Sequence, residues 1–219
     1  MTQQYQTAYR TLTTELKHLK SEPLEGFIVQ PDEGNFFSWN VAIFGPPATV
    51  YQGGYFKANL RFPTNYPFAP PTFKFLSDIW HPNVYTTGKI CISILQPTGM
   101  NYTYERWNPT QSVRTILLSI ISLLTEPNLS SPANCDASKM YKKWKEGTDK
   151  DYLYYIKKIV DESKKEAQKD NVVVPETIEQ YCVKSEMPAS DDFDEPDTSD
   201  YDMNYDYVDD DDEEEEEDI

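Results

Sequence analysis

The chain has 219 residues, a formal net charge of −17 and 38% hydrophobic residues, 14% of all residues being aromatic. That length suits one domain with extensions, and the aromatic content is enough for a sizeable core. Three cysteines without a CxxC pair argue against a disulfide framework, and two histidines make a tetrahedral zinc site a poor reading, so no metal is expected.

The charge is unevenly placed. From Asp191 to Ile219 there are 18 acidic residues and no Lys or Arg, which leaves 19 acidic against 20 basic groups in the first 190 residues. The chain reads as a near-neutral domain with a polyanionic tail, and no nucleic-acid partner is expected. It has neither an apolar run of about 18 residues nor an N-terminal signal pattern, so no membrane partner is expected. A reducing setting, cytoplasmic and nuclear, fits the cysteine usage.

Tyr5, Tyr9, Leu12, Leu16 and Leu19 recur at steps of four and three, which predicts an amphipathic helix from about Gln3 to Lys20, ended by Pro23. Four strands follow. Phe27 to Val29 is short, and Phe37, Trp39, Val41 and Ile43 alternate with polar or small residues. Phe56, Ala58, Leu60 and Phe62 alternate in the same way, and Thr72 to Leu76 makes the last run. Gly45-Pro46-Pro47, Gly53-Gly54 and Pro63, Pro67, Pro70 and Pro71 punctuate them. Short connections predict an antiparallel meander with one buried face, hence an α+β layer fold.

Ser112 to Leu124 is apolar nearly all round and predicts a buried helix. A helix from about Asn134 to Glu146 stops at Gly147, and Thr148 with Asp151 suggests the cap of another that runs to about Asp170. The expected layout is a domain over 1–170, an extension over 171–187 that docks on it, and a disordered acidic tail over 188–219.

The chemistry concentrates between Trp80 and Trp107. Cys91 lies eight residues after Asn83, in a loop punctuated by Pro82 and Gly88. A cysteine protease needs a histidine base beside its thiol. His81 stands nearest in sequence, but Pro82 holds it extended, and it reads as a loop pin rather than a base. A thiol that receives an already activated acyl group needs no base. It needs a donor for the oxyanion formed when a nucleophile attacks its own thioester, and the Asn83 amide suits that role.

The set Trp80-His81-Pro82-Asn83, Cys91 and Trp107-x-Pro109, with Gly45-Pro46-Pro47, Tyr51-x-Gly53-Gly54 and Tyr66-Pro67-x-x-Pro70-Pro71, resembles the ubiquitin-conjugating enzyme family. Cys91-Ile92-Ser93-Ile94-Leu95, Glu105 to Gln111, Ser131 to Asn134, Glu179 to Lys184 and the acidic tail resemble its cell-division-cycle type. That resemblance implies the family fold: an N-terminal helix, a four-stranded meander, a catalytic loop and three helices. It also implies a Cys91 thioester of ubiquitin, loaded by an activating enzyme that uses ATP, with no cofactor bound here. The ubiquitin then passes to substrate lysines with a cullin-associated RING ligase, building lysine-48-linked chains for degradation.

Onto single residues the resemblance maps ligase contacts at Arg10, Thr11, Phe68, Pro109 and Thr110, and a donor-ubiquitin face at Leu118 and Ser119. Simple core is the alternative for Leu118. Ser93, Ser131 and Asp136 are candidates for receiving the acceptor amine, which must be desolvated and deprotonated. Asp136 equally suits a first helical turn. Cys135 and Cys182 read as inert, small apolar residues. The tail reads as a solvated charge run or as an electrostatic lure for a basic surface, which the resemblance implies is a groove on a cullin. Gln96 to Arg106 departs from those relatives, whose insertion is longer and acidic, since Glu105 is its one acid. Linkage is open at that point. A non-catalytic binding protein of the same fold and an acidic chaperone for basic proteins are the other readings.

Overall fold

The computed structural model describes residues 3–97 and 106–182. The middle of the segment after Cys91, with Glu105, the extension from Val183 onward and the acidic tail lie outside the described residues.

Helix α1 spans Gln3–Ser21 and buries Ala8, Leu12, Leu16 and Leu19, one face of a 3.6-residue period. Its outer aromatics, Tyr5 and Tyr9, pack on Phe37 and Phe36 with ring centroids 4.8 and 4.7 Å apart. Strands β1 (Phe27–Asp32), β2 (Asn35–Phe44), β3 (Tyr55–Arg61) and β4 (Thr72–Phe75) form one antiparallel sheet in sequential order. β1 and β2 run longer than their apolar runs suggest. They meet in a tight turn at Glu33-Gly34, where Asp32 Oδ1 accepts from the Gly34 N–H. The inner face carries Phe27, Val29, Phe37, Trp39, Val41, Ile43, Phe56, Ala58, Leu60, Phe73 and Phe75, all buried in the main core. Alternation therefore delivers the buried face.

Helix α2 spans Val113–Thr125 behind a capping box at Ser112 and Thr115. It buries Val113, Ile116, Leu117, Ile120 and Leu124 but leaves Leu118 51% exposed. The helix is two-faced rather than apolar all round, and the core alternative for Leu118 is excluded. Helix α3 spans Cys135–Lys145, with Asn134 capping the Ala137 N–H, and ends at Gly147 in the left-handed region. Helix α4 spans Asp151–Lys169. Its cap differs from expectation. Asp149 Oδ1 accepts from the Asp151 N–H, whereas Thr148 donates its hydroxyl back to the Lys143 carbonyl. The left-handed turn at Gly147 places Thr148 over the open carbonyls of α3, so it closes one helix instead of opening the next.

A fourth helix after the sheet, α5 (Ile178–Cys182), adds to the three expected. Asn171, at φ 55°, turns the chain back after α4. Val172, Val174 and Tyr181 then pack against Phe44, Tyr55, Ala167, Ile28 and Ala42 in a second small core. Ile28, Ala42, Phe44 and Tyr55 alternate with inner-face residues, so this core lies on the outer side of the sheet. Burial and Asp170 push the Tyr55 phenol up to about 12. Among the described residues, no helix is long and apolar enough to cross a membrane.

Candidate active site

The loop from Trp80 to Cys91 is held by its own backbone. Tyr85 donates to the Lys89 carbonyl, Gly88 to that of Tyr85, and Cys91 to that of Asn83 at 2.8 Å. Gly88 has φ 84°, and a Cβ there would fall 2.2 Å from the Phe75 carbonyl oxygen, which accepts no such neighbour. That close approach presses the loop against β4.

His81 is fully buried. Its Nδ1 accepts from the Asn83 N–H at 2.9 Å, which leaves the proton on Nε2, 3.0 Å from the Leu123 carbonyl at the end of α2. Burial holds its pKa down to about 4. Both nitrogens are spent on the backbone, so the ring is a neutral bracket between the loop and α2 and no base for Cys91. Pro82 is equally constructive. Its carbonyl accepts from the N–H groups of Ala133 and Asn134, which fixes where α3 begins.

Asn83 is 1% exposed. Its Oδ1 accepts from the Asn128 N–H at 2.8 Å, and its Nδ2 donates to the carbonyls of Asn128 at 2.7 Å and Ser131 at 3.3 Å. The amide therefore ties the loop after α2 to the Cys91 hairpin. The longer bond, to Ser131, is the one most easily exchanged for a new acceptor.

Cys91 is half-buried. Two side chains that the sequence reading passes over stand beside it. Gln96 points its amide at the sulfur from 3.9 Å, across the 3-10 turn Ser93–Leu95. Tyr85 shares a contact with the thiol: charge on Cys91, and then a hydrogen bond to it, raise the phenol pKa. A hydroxyl six residues before the cysteine and an amide five after it were the available signals.

Ser93, Ser131 and Asp136 are all exposed. Ser93 opens the 3-10 turn. Asp136 lies in the first turn of α3, 3.8 Å from Lys139. Cys135 and Cys182 are exposed rather than packed as small apolar residues. Each sits at a helix end on the surface, where a short side chain gains no cover.

The other mapped residues fall into three places. Phe68 is 69% exposed, and Pro109 and Thr110 are exposed. The two loops that carry them touch, since the Trp107 indole donates to the Pro67 carbonyl at 2.7 Å. Arg10 is exposed and Thr11 half-buried on α1. On α2, Ser119 donates to the Thr115 carbonyl beside the exposed Leu118. The base of the segment after Cys91 is closed by the Trp107 N–H on the Gln96 carbonyl and by Arg106 on the Pro97 carbonyl. Among the described residues, no group of three His, Cys, Asp or Glu could hold a metal.

Chemically, this is an accessible thiol on a braced loop, beside hydrogen-bond donors and with no histidine base beside it among the described residues. Comparison with known proteins agrees. The family model described as ubiquitin-conjugating enzyme matches residues 11–155. A "Ubiquitin-conjugating enzyme E2" of African swine fever virus (strain Badajoz 1971 Vero-adapted) is 44% identical over 164 residues, 74% of this chain and 76% of the relative. "Ubiquitin-conjugating enzyme E2 13" of Arabidopsis thaliana is 50% identical over 144 residues, 63% of this chain and 85% of the relative. "Ubiquitin-conjugating enzyme E2 15" of Schizosaccharomyces pombe is 48% identical over 137 residues, 60% of this chain and 82% of the relative.

Proposed function

This chain belongs to the ubiquitin-conjugating enzyme family, and from that premise we propose that Cys91 carries ubiquitin to lysine with a cullin-associated RING ligase. The Cys91 thiolate attacks the thioester carbonyl that joins ubiquitin to the activating enzyme, and that enzyme's cysteine leaves. A neutral lysine amine then attacks the Cys91 thioester. The Cys91 thiolate departs, the amine sheds a proton, and an isopeptide bond remains. ATP is consumed by the activating enzyme, and this chain binds no cofactor.

The observation that carries the reading is a half-exposed Cys91 whose nearest histidine is fully committed to the backbone. Such a thiol suits exchange with an activated acyl group rather than hydrolysis. Asn83 serves as the oxyanion donor by releasing Ser131. Ser93, Ser131 and Asp136 receive the incoming amine. Leu118 and Ser119 cradle the donor ubiquitin, while Arg10, Thr11, Phe68, Pro109 and Thr110 face the ligase. The tail's 18 acids attract a basic groove on the cullin, and the chains formed are lysine-48-linked, in cytoplasm and nucleus.

The test is charging with activating enzyme, ATP and ubiquitin, followed by discharge with a cullin–RING pair and mass spectrometry of the linkages. Lysine-48 linkages and a stimulation that collapses on removal of Asp191 to Ile219 at moderate salt are expected. A different linkage, or stimulation indifferent to tail and salt, contradicts those finer points. Failure to charge with ubiquitin while a related modifier is accepted contradicts the choice of modifier.

A further inference from the structure

We propose that Glu15 is a positioning residue that locks the ligase-facing loops into one surface, an assignment that rests on the ligase contacts proposed above. Its carboxylate is half-buried and reaches two distant segments. Oε1 accepts from the Tyr66 hydroxyl at 2.6 Å, and Oε2 accepts from the Val113 N–H at 2.6 Å.

Those two partners are the roots of the loops in question. Tyr66 immediately precedes Pro67-Phe68. Val113 is the first residue of α2 and ends the loop that contains Pro109 and Thr110. The other end of the second loop is tied to the root of the first as well. The Trp107 indole donates to the Pro67 carbonyl at 2.7 Å, and the Tyr66 and Trp107 rings lie 5.7 Å apart. The result is a closed ring: Glu15 to Tyr66, Pro67 to Trp107, then along the chain to Val113 and back to Glu15. Thr11 precedes Glu15 by one helical turn on the same side of α1. One carboxylate thus sets the relative places of Thr11, Phe68, Pro109 and Thr110.

Neighbouring polar groups on α2 serve other ends, while His18 on α1 acts on the Glu15 carboxylate through its charge. Ser112 and Thr115 cap α2 between themselves, and Arg114 donates to the Glu22 carbonyl. Burial raises the Glu15 pKa, and its two hydrogen bonds oppose that rise, as for a carboxylate held for its acceptors. Hydrogen bonds to a charged acceptor are stronger than neutral ones, so removing both loosens a surface whose parts are otherwise separate loops.

The experiment is single-turnover discharge of the Cys91 ubiquitin thioester to free lysine, alone and with increasing amounts of each of several isolated RING domains. Glu15→Ala is expected to raise the RING concentration for half-maximal stimulation about tenfold. The stimulated maximum and the unstimulated rate stay within about twofold of wild type. Glu15→Gln, which accepts from Val113 through its oxygen and turns its amide to the Tyr66 oxygen, restores most of the shift. Tyr66→Phe gives an intermediate shift, and the double variant is no worse than Glu15→Ala. A Glu15→Ala half-saturation equal to wild type overturns the assignment. So does an equal loss of the unstimulated rate, which marks general support of the fold. Wild type that no RING domain stimulates overturns the ligase reading, and this inference with it.

Discussion

The inner and outer sides of the Cys91 site are built on opposite terms. On the inner side His81 and Asn83 are buried, and every polar atom of their side chains holds backbone. On the outer side Ser93, Ser131 and Asp136 face solvent, and Cys91 itself is half-open. A buried polar group without its partner costs about 1–3 kcal/mol, whereas an exposed one costs almost nothing. The inner residues are therefore bound to stability. The outer ones carry little of the fold, so a substitution there tests the proposed chemistry apart from stability.

Asn83→Ala is the largest break in that contrast. It removes three hydrogen bonds between the hairpin and the loop after α2. Discharge to lysine is expected to fall about 10²–10³-fold. Stability should drop by about 2–4 kcal/mol in denaturant unfolding. A lost rate with unchanged stability would reduce Asn83 to an oxyanion donor alone.

His81 comes next, through pH. Its folded pKa of about 4 lies below the ordinary value of 6.5, so the neutral ring's contribution is complete above 6.5 and is lost as pH falls toward 4. The amplitude is on the order of 3 kcal/mol. His81→Gln is expected to flatten that part of the stability-against-pH curve, measured by denaturant unfolding between pH 7 and pH 4. A variant with the wild-type slope places the titration elsewhere.

Tyr85→Phe removes a hydroxyl beside the Cys91 sulfur from an exposed ring. Discharge should slow about tenfold, the lower end of what one hydrogen bond to a charged group supplies, with unfolding unchanged. Asp136→Asn is expected to be the mildest. Its ion pair with Lys139 is exposed and spans 3.8 Å, so stability shifts by less than about 0.5 kcal/mol. Any effect should appear as slower discharge that recovers with rising pH, when the acceptor amine needs less help. Equal slowing across the pH range would assign Asp136 to its helix instead.

What the sequence makes legible follows the range of the interaction. Period-two alternation from Phe37 to Phe62 and the α1 stripe are local patterns, and the meander and its packed helix read directly from them. The eight-residue spacing of Asn83 and Cys91 is local too. What Asn83 touches is not, because Asn128 and Ser131 lie 45 and 48 residues away. Glu15 is 98 residues from Val113 and looks like any helix-surface acid. The Thr148 and Asp151 pattern is local but ambiguous, since a preceding helix end competes for the same hydroxyl. Cys135 and Cys182 show that residue type alone says little about cover for a side chain so short.

Three thiols reach the surface or near it, and one of them stands on the braced loop. The most direct measurement is the intact mass of the protein after incubation with activating enzyme, ATP and ubiquitin. The expected result is one added ubiquitin, released by hydroxylamine, absent from Cys91→Ala and made resistant by Cys91→Ser. An adduct that survives in Cys91→Ala, carried by Cys135 or Cys182, would contradict the account.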